Sequence, residues 1–177
     1  MAQRDSAHRG RVVVFTSGTF DLFHLGHVNV LRRSRALGDY LIVAVSTDEL
    51  IASYKGIPPV IPFRERIRIV ASCRYVDKVL KQTVLTDNRQ LKRYKVSIVT
   101  LGSDWKDKYL EGVEWIKEHG RVVYLPYTKG VSTTSIKRDI ISRTYEVVYA
   151  DAKRAIDAQI EEESRMESKW PRTDNGS

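Results

Sequence analysis

A doubly wound α/β fold around a five-stranded parallel sheet is what this chain predicts, on three observations. Short β-branched runs alternate with helix-like segments between Arg11 and Leu125. Several of those runs, above all Leu41-Ile42-Val43-Ala44-Val45, are continuously apolar, as in strands buried on both faces of a parallel sheet. The connections are short, which implies right-handed crossovers with helices on both faces. At 177 residues, with 42% hydrophobic and 29% charged residues, the chain can bury such a core as one domain.

Taken in order, the first strand is expected at Arg11–Thr16, where Val12-Val13-Val14-Phe15 is apolar. A helix follows at Leu25–Leu37, closed by Gly38-Asp39, and the long apolar run gives a strand at Tyr40–Ser46. Helices at Asp48–Ser53 and Pro62–Ala71 precede a strand at Val76–Leu80. A helix at Asn88–Tyr94, a strand at Ser97–Leu101, a helix at Tyr109–Glu118 and a strand at Arg121–Leu125 complete the sheet. Ser132 and Thr133 are good N-caps for a long C-terminal helical extension. Along it Ile141, Tyr145, Val148, Ala152 and Ala155 form a stripe that either packs on the domain or pairs with a second copy in a homodimer. The expected organisation is a flexible N-terminus (1–10), a domain (11–143), the helical extension (144–167) and a disordered tail (168–177).

Bulk chemistry narrows the class of function. One cysteine, Cys73, excludes an internal disulfide and a cysteine-rich zinc module, and fits a reducing cytoplasm. No apolar stretch reaches membrane-span length and the first residues lack a signal peptide's apolar core, so a cytoplasmic protein without membrane insertion is expected. The net charge of +8 is spread over helices and turns, as in Arg32-Arg33-Ser34-Arg35, which reads as a solvated face and gives no dense nucleic-acid-binding block.

In sheets of this kind ligands sit at the carboxyl ends of the strands, near the topological switch point. Three segments fall there: Gly18-Thr19-Phe20-Asp21-Leu22-Phe23-His24-Leu25-Gly26-His27 after the first strand, Gly102-Ser103-Asp104 after the fourth, and Pro126–Thr134 after the fifth. His24 and His27 lie on the first turn of a helix, where unpaired N–H groups and the helix dipole attract phosphate, and Gly26 would let an anion approach the backbone. The same pair could hold a metal, although His8 and His119 have no ligand-like company, or could cap the helix.

Gly18-Thr19-Phe20-Asp21 with His24-Leu25-Gly26-His27 resembles the signature of the cytidylyltransferase-type nucleotidyltransferases. A second signature of that family is matched in order by Tyr127-Thr128-Lys129-Gly130-Val131-Ser132-Thr133-Thr134. The resemblance runs from Val12 to Ile140 and is strongest with the small bacterial members that act on glycerol phosphate, on Ala36-Leu37-Gly38-Asp39-Tyr40-Leu41, Ser46-Thr47-Asp48-Glu49, Arg74-Tyr75-Val76-Asp77 and Asp104-Trp105. It implies a Rossmann-like nucleotidyltransferase fold. It also implies transfer of a cytidylyl group from CTP to a small phosphorylated alcohol, for envelope or capsule polymers, with Mg2+ arriving on the triphosphate and no metal site of the protein's own. Adenylyl transfer to a heptose phosphate, other phosphorylated polyols or amines, and a non-catalytic nucleotide sensor are the alternatives.

That chemistry needs no general base, because the attacking phosphate, with a second pKa of about 6, is already largely dianionic. The protein must align two anions and offset transition-state charge. His24 and His27 would donate to α- and β-phosphate oxygens, more strongly if protonated. By resemblance Lys55 and Arg66 are the phosphate-binding cations, and Gly18, Thr19, Phe20, Asp104, Tyr127, Thr128, Gly130, Ser132 and Thr133 bind substrate. Two departures stand out. Tyr127 and Lys129 replace the family's arginine and glutamate, and Lys81–Arg89 lacks the tryptophan and lysine of glycerol-phosphate members, leaving Arg89 as a candidate replacement.

Overall fold

The computed structural model describes residues 10–106, 108 and 110–169. Its elements are β1 (Val13–Gly18), α1 (Leu25–Arg35), β2 (Tyr40–Ser46), α2 (Asp48–Lys55), α3 (Phe63–Ala71), β3 (Lys78–Gln82), α4 (Asn88–Arg93), β4 (Ile98–Gly102), α5 (Glu111–His119), β5 (Arg121–Leu125) and α6 (Thr133–Lys169). The five strands form one parallel sheet in the order β3-β2-β1-β4-β5. The order reverses between β1 and β4, which fixes the switch point there.

Alternate residues of the apolar strands feed two core layers. Val13, Phe15, Ile42 and Ala44 pack with Leu91 of α4 and Ile116 of α5. Val14, Leu41, Val43 and Val45 pack with Leu31 of α1 and Val70 of α3 on the other face. Leu41 through Val45 have no exposed surface, as their unbroken apolar run requires.

The strands expected at Tyr40–Ser46 and Arg121–Leu125 have those bounds, whereas β1, β3 and β4 lie one or two residues farther toward the carboxyl end. β1 starts at Val13, since Val12 turns its N–H and carbonyl to Asp39, and it continues through Ser17 and Gly18 opposite Ala44 and Val45. β3 continues through Lys81 and Gln82, which pair with Val45 and Ser46. The polar residues are held in the ladder by the neighbouring strand, a force that hydrophobicity does not report. Gly18 and Gln82 are thereby carried to the rim.

The chain divides into two compact units between Thr133 and Thr134. That division precedes the expected 143/144 boundary because α6 runs unbroken through it, and α6 also includes Ser168 and Lys169. Expectations for residues 1–9 and 170–177 lie outside the described residues. Ile141, Tyr145 and Val148 of the α6 stripe are exposed. No helix among the described residues is long and apolar enough to cross a membrane.

Candidate active site

A cavity of about 480 Å³ opens at the carboxyl ends of the strands. It takes Gly18, Thr19, Phe20 and His27 from the β1–α1 turn, Lys55 from α2, Asp104 from the turn after β4, and Tyr127 and Thr133 from the segment after β5. Eight of the thirteen sequence-derived site residues therefore meet in one space.

The β1–α1 turn is built around its two histidines. Phe20 (φ 53°) and Leu22 (φ 45°) adopt left-handed backbone conformations, which for side chains of this size are strained by roughly 1–3 kcal/mol each. What holds them is a dense set of bonds. Asp21, itself buried, accepts from the N–H groups of Leu22, Val60 and Ile61. Phe20 is buried, with its ring 5.3 Å from that of His27.

His24 is the N-cap of α1. Its Nδ1 accepts from the Gly26 N–H at 3.0 Å, while His27 Nδ1 accepts from the His24 N–H at 3.3 Å. This is a capping box in which imidazoles replace the usual hydroxyl and carboxylate. The rings stack at 3.9 Å between centroids. A neutral imidazole has one N–H, so two accepting Nδ1 atoms place both hydrogens on Nε2. Capping thus fixes the tautomer of both rings.

This corrects one expectation. The Gly26 N–H is not open to an anion, because His24 takes it, and glycine is required for a different reason. A Cβ at position 26 would lie 2.7 Å from His24 Cε1 and 2.8 Å from its Nδ1. The histidines are also neutral. Burial lowers the pKa of His24, and burial, then the proximity of His24, lower that of His27 to about 3 against a raising influence from Asp21. Both rings therefore carry their hydrogen on Nε2. His24 Nε2 lies 3.5 Å from Thr133 Oγ1, whose own hydrogen goes to the Asp21 carbonyl at 2.9 Å.

Lys55, exposed at the end of α2, extends Nζ to 3.5 Å from Thr19 Oγ1 at the cavity wall. Arg66 behaves otherwise. It has no exposed surface and lies outside the cavity lining. Its Nε donates to the Ile61 carbonyl at 2.8 Å, NH1 to the Thr19 carbonyl, and NH2 to the Ser46 carbonyl at 2.8 Å and Asp48 Oδ1 at 2.6 Å. Arg66 therefore does not reach the triphosphate as expected. It fastens the turns after β1 and β2 to the start of α3, because its donors are saturated by main-chain carbonyls. Burial disfavours ionised Asp48, but the Phe63 N–H and Arg66 outweigh it and hold the carboxyl below its ordinary pKa.

Tyr127 hydrogen-bonds to Asp104 across the cavity mouth, and burial, followed by that carboxylate, pushes its pKa up to about 12. His24, Thr128, Gly130 and Ser132 lie off the cavity lining. Thr128 Oγ1 accepts from Asn29 at 3.1 Å, and Arg33 donates to the Pro126 carbonyl at 2.9 Å, so α1 braces this loop. Gly130 has φ 81°, which a glycine adopts without strain. Arg89 is exposed, paired with Asp87, and also outside the cavity. Sequence reasoning missed Ser46, Gln82, Thr86, Trp105 and Lys108, all on its wall. The strand-end rule that found Asp104 applies equally to Ser46, at the correctly placed end of β2, and would have found Gln82 had β3 been extended to it. Among the described residues no group of three or more His, Cys, Asp or Glu could hold a metal.

A parallel sheet with this order and a histidine pair at its switch point, of which His27 lines the cavity, are the features of a nucleotidyltransferase. The cytidylyltransferase-like family matches residues 15–139, and the chain belongs to that family. It is 39% identical over 128 residues to glycerol-3-phosphate cytidylyltransferase of Bacillus subtilis (strain 168), spanning 72% of this chain and 95% of the relative. It is 39% identical over 133 residues to ethanolamine-phosphate cytidylyltransferase of Dictyostelium discoideum, spanning 70% of this chain but 35% of that longer protein. Among solved structures, the lipopolysaccharide core biosynthesis protein of Thermoplasma volcanium GSS1 aligns with a TM-score of 0.55 at 26% identity, covering 69% of this chain and 100% of that one.

Proposed function

We propose that the protein transfers the cytidylyl group of CTP to a small phosphorylated alcohol, glycerol phosphate first among them, releasing pyrophosphate. An oxygen of the acceptor phosphate forms a bond to the α-phosphorus as the bond to the bridging oxygen of the pyrophosphate breaks, and the electron pair leaves with pyrophosphate and its Mg2+. The observation that carries this reading is the histidine capping box, which fixes two neutral Nε2–H donors at the rim where a triphosphate would lie. Neutral donors stabilise developing charge without first having to be stripped of an ordered counter-charge. Lys55 supplies an exposed cation at the cavity wall, and the dianionic acceptor removes the need for a base. The likeness to bacterial glycerol-3-phosphate cytidylyltransferases supports the acceptor.

The likeness to an ethanolamine-phosphate cytidylyltransferase favours a phosphorylated amino alcohol as the second reading. A pyrophosphate-release screen of CTP, ATP, UTP and GTP with Mg2+ against phosphorylated polyols, amino alcohols and heptose phosphate tests both. Turnover with CTP and glycerol phosphate is expected. Release with no pair would remove the transferase reading, and release with ATP and heptose phosphate alone would replace the nucleotide.

A further inference from the structure

The two halves of the cavity are chemically unlike. Under β4 and β5, Asp104 and Tyr127 present a carboxylate and a flat phenol ring, which complement the N–H donors and ring of a nucleobase. Under β2 and β3 the wall is uncharged and polar. Ser46 and Gln82 are register partners there, and both are buried, Gln82 at 3% exposure. Ser46 Oγ donates to Gln82 Oε1 at 2.7 Å, and the Gln82 carbonyl accepts from the Thr47 N–H at 3.0 Å.

With Oε1 engaged by Ser46, the amide's Nε2 keeps two hydrogens to donate, and Gln82 lines the cavity. A buried amide donor without an acceptor is unfavourable, and a ligand oxygen placed there would relieve it. The surrounding charges restrict what that ligand is. Lys55 and Lys108 line the cavity, and its lining carboxylate among the described residues, Asp104, is already bonded by Tyr127. An ammonium group entering here meets two cations against one carboxylate, whereas a hydroxyl meets a donor.

We infer that Gln82 reads the acceptor: Nε2 donates to a hydroxyl oxygen of an uncharged polyol phosphate, and the site thereby selects polyol phosphates over amino-alcohol phosphates. Ser46 Oγ retains lone pairs for the hydroxyl hydrogen, so one buried pair addresses both ends of the same O–H group. The inference rests on the transfer reaction proposed above and names the substrate class that reaction uses.

Steady-state kinetics of the full chain with Mg-CTP, using glycerol phosphate and phosphoethanolamine as alternative acceptors, test it in wild type, Gln82→Leu and Gln82→Glu. Circular dichroism and CTP binding by calorimetry verify that each variant is folded. In Gln82→Leu the KM for glycerol phosphate should rise about tenfold, with the KM for CTP unchanged, as expected for losing one hydrogen bond to the acceptor. Gln82→Glu, which exchanges the donor for a carboxylate, should lower the polyol-to-amine ratio of kcat/KM by more than Gln82→Leu does. The wild type should prefer glycerol phosphate, a readout that needs no variant to fold. A wild type that prefers phosphoethanolamine, or folded variants with unchanged acceptor KM and ratio, overturns the assignment while leaving the transferase intact. A wild type that releases pyrophosphate with no acceptor overturns the transferase reading and the Gln82 assignment together.

Discussion

The turn after β1 and the turns after β3 and β4 border the same cavity, but their polar atoms are used in opposite ways. In the first, nearly every group is matched internally: each histidine caps the helix through one nitrogen, Asp21 gathers three N–H groups, and Arg66 serves carbonyls of two turns. In the second, Gln82 keeps two amide hydrogens to donate, Lys108 lies over the Trp105 ring at 4.7 Å, and Asp104 leans on a largely exposed tyrosine. On the proposed reaction, the first arrangement would position the reacting phosphorus common to all substrates, and the second would meet the parts in which substrates differ. Rigidity is placed where the chemistry is invariant, and open valence where recognition varies.

The largest effect that would sharpen this contrast is on stability. Arg66→Met removes a buried cation while leaving the Asp48 carboxylate and the Thr19, Ser46 and Ile61 carbonyls without their donor, and should cost about 3–5 kcal/mol. Urea unfolding measures it; a loss below about 1 kcal/mol, with turnover abolished, would return Arg66 to direct phosphate contact.

Next come the histidines. His27→Ala should lower kcat by about a hundredfold, as for loss of one oxyanion donor. His24→Asn is more telling, since asparagine caps helices well but supplies no Nε2–H. Its melting temperature should stay near that of the wild type while kcat falls to a similar degree. Equal losses of stability and activity would mean that capping is the only role of His24.

The same burial sets a pH dependence. Below pH 6.5 the unfolded chain protonates His27, while the folded chain does not until about pH 3, so stability falls as pH drops through that window. Thermal melts from pH 7 to 4 should decline more steeply for the wild type than for His27→Gln, and parallel curves would contradict the neutral tautomer.

Gly26→Ala, whose methyl group must displace the His24 ring, should cost about 1 kcal/mol, the worth of an N-cap. It should also reduce turnover more than an alanine placed on the exposed face of α1. The smallest effect belongs to the open side. Tyr127→Phe should raise the KM for CTP by roughly three- to tenfold, the range for one hydrogen bond, with little change in melting temperature. A large loss of stability there would erase the distinction between the two turns.

How far these features could be read from sequence follows the same division. The sheet was legible because Val13–Phe15 and Leu41–Val45 are unbroken apolar runs, and the histidine turn because its residues lie next to one another in the chain. Arg66 was misassigned because burial of a charged residue leaves no local trace. Its one clue was its position four residues before Val70, on the inward face of α3. Gln82 was invisible for a related reason: the strand reading stopped where hydrophobicity stopped, whereas the ladder with β2 carries β3 onward through polar residues to Ser46. Contacts between residues near in sequence were recoverable. Contacts created by strand register were not.

The reciprocal cap gives the His24–His27 turn an unusual independence. Within four consecutive residues it starts its own helix, fixes the hydrogen placement on both rings and keeps clear the space that the first ring occupies. Grafted onto another strand-to-helix junction, such a segment would bring its donor geometry with it. The Gln82 amide could be moved only together with the neighbouring strand that turns it.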